Sequence, residues 1–356
     1  MDDDLYLSAG NQTISGWTDV RVTRGIERCP SDFALGLTES FPGEVNEVVI
    51  QPGDECQIRI GTDLVITGYI DRYRPGFDPD GHAIRATGRG KCQDLVDCAA
   101  VWPNGQISGT SALDVASKLA AHYGITVTCD IAKLVAIPQF NIFIGETSYE
   151  IIERISRYSQ LLVYEQPDGT LRLTQASTVQ AAGGLAQGVN VQSAYIDYAA
   201  DQRFSKYTVF TQSVLTFGDL GIGQNVIAVV EDVGVKRTRE HYIVAEAVQG
   251  YADLATRRAN WEMNRRIGRS AVVTVVTDSW RDAAGVLWTP NTLVPISLPR
   301  LKLENETWLI GEVTYMRSEQ EGTTAELTIM RPQAYLPEPV ALQPIFVDAS
   351  APAGAR

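Results

Sequence analysis

The sequence predicts a mainly β protein of the α+β class, with two similar antiparallel β-barrels or small sandwiches and an inserted α/β module. Three observations predict it. Short alternating segments bounded by Gly, Pro and Asp fill residues 1 to about 90 and return after residue 271. Two helix-then-strand patterns crowd into residues 111–173. The pattern of residues 53–88 recurs at residues 290–332.

Each element follows from local chemistry. Residues 17–24 alternate, with Val20 and Val22 on one face, and residues 33–37 follow a turn at Pro30-Ser31-Asp32. Residues 56–60, 64–70 and 83–87 form three further strands around Pro52-Gly53-Asp54 and Asp78-Pro79-Asp80-Gly81. Ser111 with Asp114 approximates a capping box for a helix to Tyr123. Leu113, Ala116, Leu119 and Ala120 share its face, and Gly124 stops it. Thr147 or Ser148 caps a second helix to Ser159, and a hairpin turns at Pro167-Asp168-Gly169. Residues 176–190 read as a linker, 194–198 and 206–211 as strands, 213–225 as a Gly-rich loop, and 251–268 as the longest helix. Strands close the chain at 271–277, 292–298, 308–315 and 325–330.

The expected domains are 1–90, a first β-barrel; 91–176, an α/β module; and 177–270, connecting strands, loop and helix. A second β-barrel at 271–335 and an extended Pro/Ala-rich tail at 336–356 complete them. In the repeat, Gly68-Tyr69-Ile70-Asp71 aligns with Gly311-Glu312-Val313-Thr314. The match is one of pattern rather than identity, so true duplication and the common likeness of two all-β stretches both stand.

Composition narrows function. With 44% hydrophobic residues the 356-residue chain can build a core, and no apolar run reaches membrane-spanning length. The N-terminus opens with three Asp instead of a basic-then-apolar signal. A net charge of -13 disfavours binding to the phosphate backbone. It serves either solubility or an acidic surface that repels nucleic acid. The five cysteines show no CxxC pair, so neither a zinc site nor a cysteine nucleophile is expected. Nucleotide, zinc-protease and serine-hydrolase motifs are missing from the sequence, so no catalytic, cofactor or metal residue is assigned. Arg257, Arg258, Arg265, Arg266 and Arg269 with Trp261 form a basic helix face, read as solvated or subunit-facing before phosphate-binding.

Several segments together are similar to one family. They are residues 16–27, Gly68-Tyr69-Ile70-Asp71, Gly88-Arg89-Gly90-Lys91, Asp94 to Val101, and Leu287-Trp288-Thr289-Pro290-Asn291, with the helix of Arg257, Arg258 and Arg266. They resemble the baseplate hub of Mu-like contractile phage tails, from about residue 5 to 335, with residues 88–101 the most specific block. The Pro/Ala-rich tail after 336 departs from that pattern.

The resemblance implies a non-enzymatic structural protein, a homotrimer whose paired barrels form a pseudo-sixfold ring. That ring would adapt a hexameric tail tube protein to a trimeric central spike protein, beside baseplate wedge proteins. DNA would pass an axial channel without specific binding. No membrane insertion is implied, and the location is the virion tail baseplate after synthesis in the host cytoplasm. Candidate channel acids are Asp54, Glu55, Asp63, Glu304 and Glu306, and candidate interface anchors are Trp17, Trp288 and Trp308. The competing readings are a carbohydrate-binding module, with aromatic residues such as Trp102 and Tyr73, and a tail-tip adaptor.

Overall fold

The computed structural model describes residues 3–10, 12–39, 50–78, 81–102, 106–134, 136–159, 161–212, 225–245 and 251–335. The strands of the first part are β1 (Leu5–Ala9), β2 (Gln12–Ile14), β3 (Asp19–Gly25), β4 (Asp32–Glu39), β5 (Glu55–Ile60), β6 (Asp63–Asp78) and β7 (Gly81–Gly90). The middle holds α1 (Gln93–Asp97), β8 (Gln106–Thr110), α2 (Ala112–Ala121), β9 (Val127–Cys129), β10 (Ile137–Asn141), α3 (Ser148–Tyr158), β11 (Leu162–Glu165) and β12 (Leu171–Thr174). Then come β13 (Leu185–Ala186), β14 (Val191–Tyr198), β15 (Lys206–Gln212), β16 (Asn225–Glu231), β17 (Glu240–Ala245) and α4 (Tyr251–Arg269). The chain closes with β18 (Ala271–Thr277), β19 (Leu293–Leu298), β20 (Leu303–Ser318) and β21 (Gly322–Met330). The mainly β, antiparallel class expected from the sequence is what the chain adopts.

The repeat is physical. One unit runs β3-β4-β7-β6-β5 and the other β14-β18-β21-β20-β19, every neighbour antiparallel. The long strands β6 and β20 both have 16 residues. Each is broken by a bulge at its third residue, Val65 or Asn305, and another at its ninth, Asp71 or Gly311. A bulge bends the strand and re-aims its second half, so two bulges at matching positions give both units the same curvature. They also correct the sequence register: Asp71 aligns with Gly311, three residues away from the pairing of Gly68 with Gly311. Gly68 and Gly311 share only their residue type, and the backbone equivalence places Gly68 against Trp308.

The units are not separate bodies. β20 pairs with β3 along Glu312–Arg317 and Gly25–Val20, which makes one 13-stranded sheet. One apolar cluster spans both, from Leu5, Val22 and Phe33 to Trp280, Tyr315 and Ile329. Trp280 is completely buried, and its indole N–H donates to the carbonyls of Thr324 (2.8 Å) and Met316 (3.0 Å). A buried indole is tolerated because that polar tip is satisfied.

The α/β module has its own core of Leu95, Val115, Leu119, Ile151, Ile155 and Leu173. Ser111 caps α2 in the expected capping box with Asp114, and Gly124 takes φ +64°. Thr147 caps α3, its hydroxyl receiving the Glu150 N–H at 3.2 Å. A third core, with Tyr207, Val209, Ala255 and Ala259, joins β15–β17 to α4.

Residues 177–270 depart from the expected connector. β13 pairs with β19 and β14 with β18, so the second unit begins well before residue 271 and is interrupted by β15–β17 and α4. The alternation of β14 is weak because most of it is exposed, and its partner lies over 70 residues onward. The expected loop at 213–225 lies outside the described residues except for Asn225, which opens β16, and the tail at 336–356 lies outside them.

Replacing Ser111 by Ala removes the α2 cap and should lower stability by about 1 kcal/mol in urea titration. An unchanged midpoint would show that α2 is held by packing alone.

Candidate assembly surface and the joint beside it

Three of the segments that carry the family-like pattern, residues 68–71, 88–91 and 94–97, meet at one joint between the first unit and the α/β module. Gly68 and Gly90 face each other across β6 and β7. A Cβ on Gly68 would lie 1.9 Å from the Arg89 carbonyl, and one on Gly90 would lie 1.9 Å from a Glu165 carboxylate oxygen. Only glycine admits these approaches. Arg89 reaches from β7 to Asp71 (2.7 Å) and Asp97 (2.7 Å), tying the β6 bulge to α1. That bond holds the Asp97 carboxyl below its usual range. Lys91 adds a backbone bond to the Thr67 carbonyl at 2.9 Å.

Glu165, at the end of β11, is 3% exposed and forms the centre of this joint. Its two oxygens accept the backbone N–H of Ser31 (2.9 Å) and of Cys92 (2.8 Å). Burial pushes its pKa up, and the two donors oppose that rise. Neighbouring Cys29, together with burial, pushes the Cys92 thiol well up, and burial beside Asp71 pushes Cys56 up to about 12. Both stay protonated near neutral pH and fill space as small apolar groups.

The seam between the units is the second site. Ile26 donates to the Gly311 carbonyl at 2.9 Å, and the hydroxyls of Thr23 and Thr314 meet at 3.2 Å. Arg28 pairs with Glu312 at 2.9 Å and with Asp32. At the far end, Arg281 holds both Asp3 (2.8 Å) and Asp63 (2.7 Å), and Arg317 binds the Asp3 carbonyl at 2.6 Å. The acidic N-terminus is therefore clamped by arginines of the second unit.

The expected channel acids do not form one cluster. Asp63, Glu304 and Glu306 sit at or near the hairpin ends of β5–β6 and β19–β20, while Asp54 and Glu55 lie at the opposite end of β5. Asp63 is paired with Arg281, Glu306 with Arg331 (3.4 Å) and the Trp308 indole (2.9 Å), and Asp54 accepts the Gln51 N–H (2.8 Å). Glu55 and Glu304 are exposed. The expected interface anchors are corrected outright. Trp17, Trp288 and Trp308 are 3%, 1% and 1% exposed inside the chain's own core. A fully covered ring has no surface left for a neighbouring chain.

The basic face of α4 is occupied from within. Arg269 and Arg265 pair with Glu27, the latter at 3.5 Å, and Arg266 pairs with Glu262 at 2.6 Å. Arg258 and Arg265 lie over Trp261 at 5.2 and 5.3 Å. Arg265, Arg266 and Arg269, with Trp261, line a cleft of about 580 Å3 in which Glu27, Glu153 and Glu262 match their charge and leave no surplus for a phosphate. The aromatic residues of the carbohydrate reading are also engaged: the Lys118 ammonium covers Trp102 at 4.1 Å, and Tyr73 packs on the core. Among the described residues no helix is long and apolar enough to cross a membrane.

Comparison with known proteins covers most of the chain. Residues 4–90 match the N-terminal family of the Mu phage baseplate assembly protein GpP-like group, and residues 92–175 match the second domain of the baseplate hub protein gp44-like family. Residues 252–338 match the GpP fourth domain. The baseplate hub protein gp44 of Escherichia phage Mu is 31% identical over 94% of this chain and 90% of its own length. The crystal structure of the 43 kDa tail protein of prophage MuSo2 from Shewanella oneidensis superposes with a TM-score of 0.83 at 31% identity, covering 93% of this chain and 99% of that one. At 11% identity, a type VI secretion component of E. coli, described as similar to T4 tail proteins gp27 and gp5, shares the fold with a TM-score of 0.57, over 94% of this chain and 80% of its own.

Replacing Glu165 by Gln turns an amide NH2 toward one of two buried backbone donors, so stability should fall by about 1–3 kcal/mol. Because the folded carboxyl titrates above its free value, it makes the wild type lose stability as pH rises through that interval. The variant should lack this slope in pH-dependent urea titrations, and an equal slope would place the titration elsewhere. Gly90→Ala should be at least as damaging, since its Cβ would push the buried Glu165 carboxylate off both backbone donors.

Proposed function

The chain belongs to the baseplate hub family of Mu-like phage tails, and from that premise we propose that it is a homotrimeric adaptor on the tail axis. Three copies of a chain with two like units present six like units around one axis. The observation that carries this reading is the duplicated five-stranded unit with matching bulges. Such a ring meets a sixfold tail tube on one face and a threefold spike on the other, because pseudo-sixfold and true threefold symmetry coincide in it. Wedge proteins of the baseplate would then contact its outer decorations, the α/β module among them.

The centre of the ring is a channel for DNA. Net charge -13 suits a lumen that repels the phosphate backbone and lets the duplex slide. Of the candidate acids, Glu55, Asp63 and Glu304 are exposed; Asp63 is held by Arg281, so Glu55 and Glu304, one from each unit, are the two we propose for that lining. The role is structural, and binding surfaces, not reacting groups, carry it.

Light scattering behind size exclusion, at low and at moderate salt, should give the mass of three chains. A monomer at both salts would remove the symmetry argument. Neutralising both lumen acids (E55Q/E304Q) should slow DNA ejection from assembled virions while leaving that mass unchanged. Normal ejection would remove these two residues from the channel.

A further inference from the structure

The duplication has an unused half. β20 is flanked by β19 along its first part and by β3 along 312–317, on the side that β19 has vacated. β6 is flanked by β5 along its first part in the same way. Along 72–77, however, it pairs only with β7, and no described strand lies on its other edge. β14, the counterpart of β3, pairs only with β18 and is likewise open on its far edge. Each chain thus carries one seam already made and the two halves of a second one.

We infer that β6 of one copy pairs antiparallel with β14 of the next, in the register of the internal β20·β3 seam, so that residues 72–77 lie opposite 199–194. This rests on the trimer reading and specifies its contact. The register follows from the ladders. The bulges make Arg72 equivalent to Glu312 and Gly88 equivalent to Ile329. Phe33 lies opposite Gly88 and Val273 opposite Ile329, while Val22 faces Phe33 and Ile196 faces Val273. Val22 is therefore equivalent to Ile196. Carrying the internal pairs Val313–Arg24, Thr314–Thr23 and Met316–Arg21 across gives Tyr73–Tyr198, Arg74–Asp197 and Gly76–Tyr195.

The side chains fit that register. Arg74 and Asp197, both exposed, take the places of the Thr314 and Thr23 hydroxyls that meet at 3.2 Å. Opposite charges directly across a ladder stabilise it. Tyr195 and Tyr198 are 60% and 66% exposed on β14, and Phe77 is 88% exposed on β6, a large apolar display for an uncovered edge. Gly76 leaves room for the Tyr195 ring.

Pro75 tests the geometry. Ile26 donating to Gly311 fixes Tyr315–Val22 as a hydrogen-bonded pair, so the equivalent Pro75 nitrogen points to the open edge. Proline is admitted only on that side of a strand. The ladder forgoes one bond there, and indiscriminate edge pairing is discouraged. Repeating the contact links eight strands of each chain, from β14 to β6, into one closed wall.

The position 74–197 is a non-hydrogen-bonded pair, with Cα atoms about 4.5 Å apart, within disulfide reach. The full chain carrying R74C/D197C, oxidised with diamide, should give covalent dimers and trimers on a denaturing gel, and neither single variant should. In R74C/Q192C the two positions are offset by five residues, about 16 Å, and no cross-link should form. As a second readout, R74E or D197R alone should raise the concentration at which trimers dissociate by about tenfold, and R74E/D197R together should restore it. A trimer by light scattering that cross-links only in the offset pair, or not at all, with no rescue by the double reversal, overturns this register and leaves the trimer standing. A monomeric wild type overturns the trimer, and this contact with it.

Discussion

Pairing between β3 and β20 is the constraint on which the rest of the molecule depends. It brings together strands from opposite ends of the chain and turns two curved units into one sheet with one apolar cluster. Without it, each unit would expose a strand edge and half of a core. The ion pairs around it have a lesser part. Exposed pairs such as Arg28–Glu312 contribute little individually, whereas the clamp of Arg281 on Asp3 and Asp63 fixes where the N-terminal segment lies.

The joint at Glu165 is the other fixed point. Its carboxylate replaces solvent for two backbone donors on different segments, so the position of the α/β module is set by hydrogen-bond geometry, not apolar contact alone. The glycines beside it follow from that geometry. The run Gly88-Arg89-Gly90, which in the sequence closes the first unit and opens the most family-specific block, is the place where strand, helix and buried acid meet.

Legibility followed range. The capping box at Ser111 and Asp114, the stop at Gly124 and the hairpin at Gly169 are local, and the sequence displays them openly. β18 and β21 show themselves by alternation because one face is buried. β14 shows only its second half, residues 194–198, because it stays largely exposed, and β16 and β17 are not among the strands that the sequence marks. The repeat was visible as pattern, but its register was not: bulges are backbone events, and Asp71 and Gly311 share no side-chain chemistry. The tryptophans misled for a simple reason. Large aromatic residues mark cores and interfaces alike, and only burial within the chain separates the two.

The distance in sequence between the two seam strands also sets an order in time. At a synthesis rate of about 5–20 residues per second, β20 leaves the ribosome about 15–60 s after β3. Through that interval the N-terminal unit has a strand edge with no partner of its own. Asp19, Arg21 and Arg24 on β3 place charge along that edge, a feature that discourages pairing with foreign strands. The last long strands to emerge complete the first unit, so a truncated chain lacks the seam, and only a finished chain presents the surface of a whole protomer.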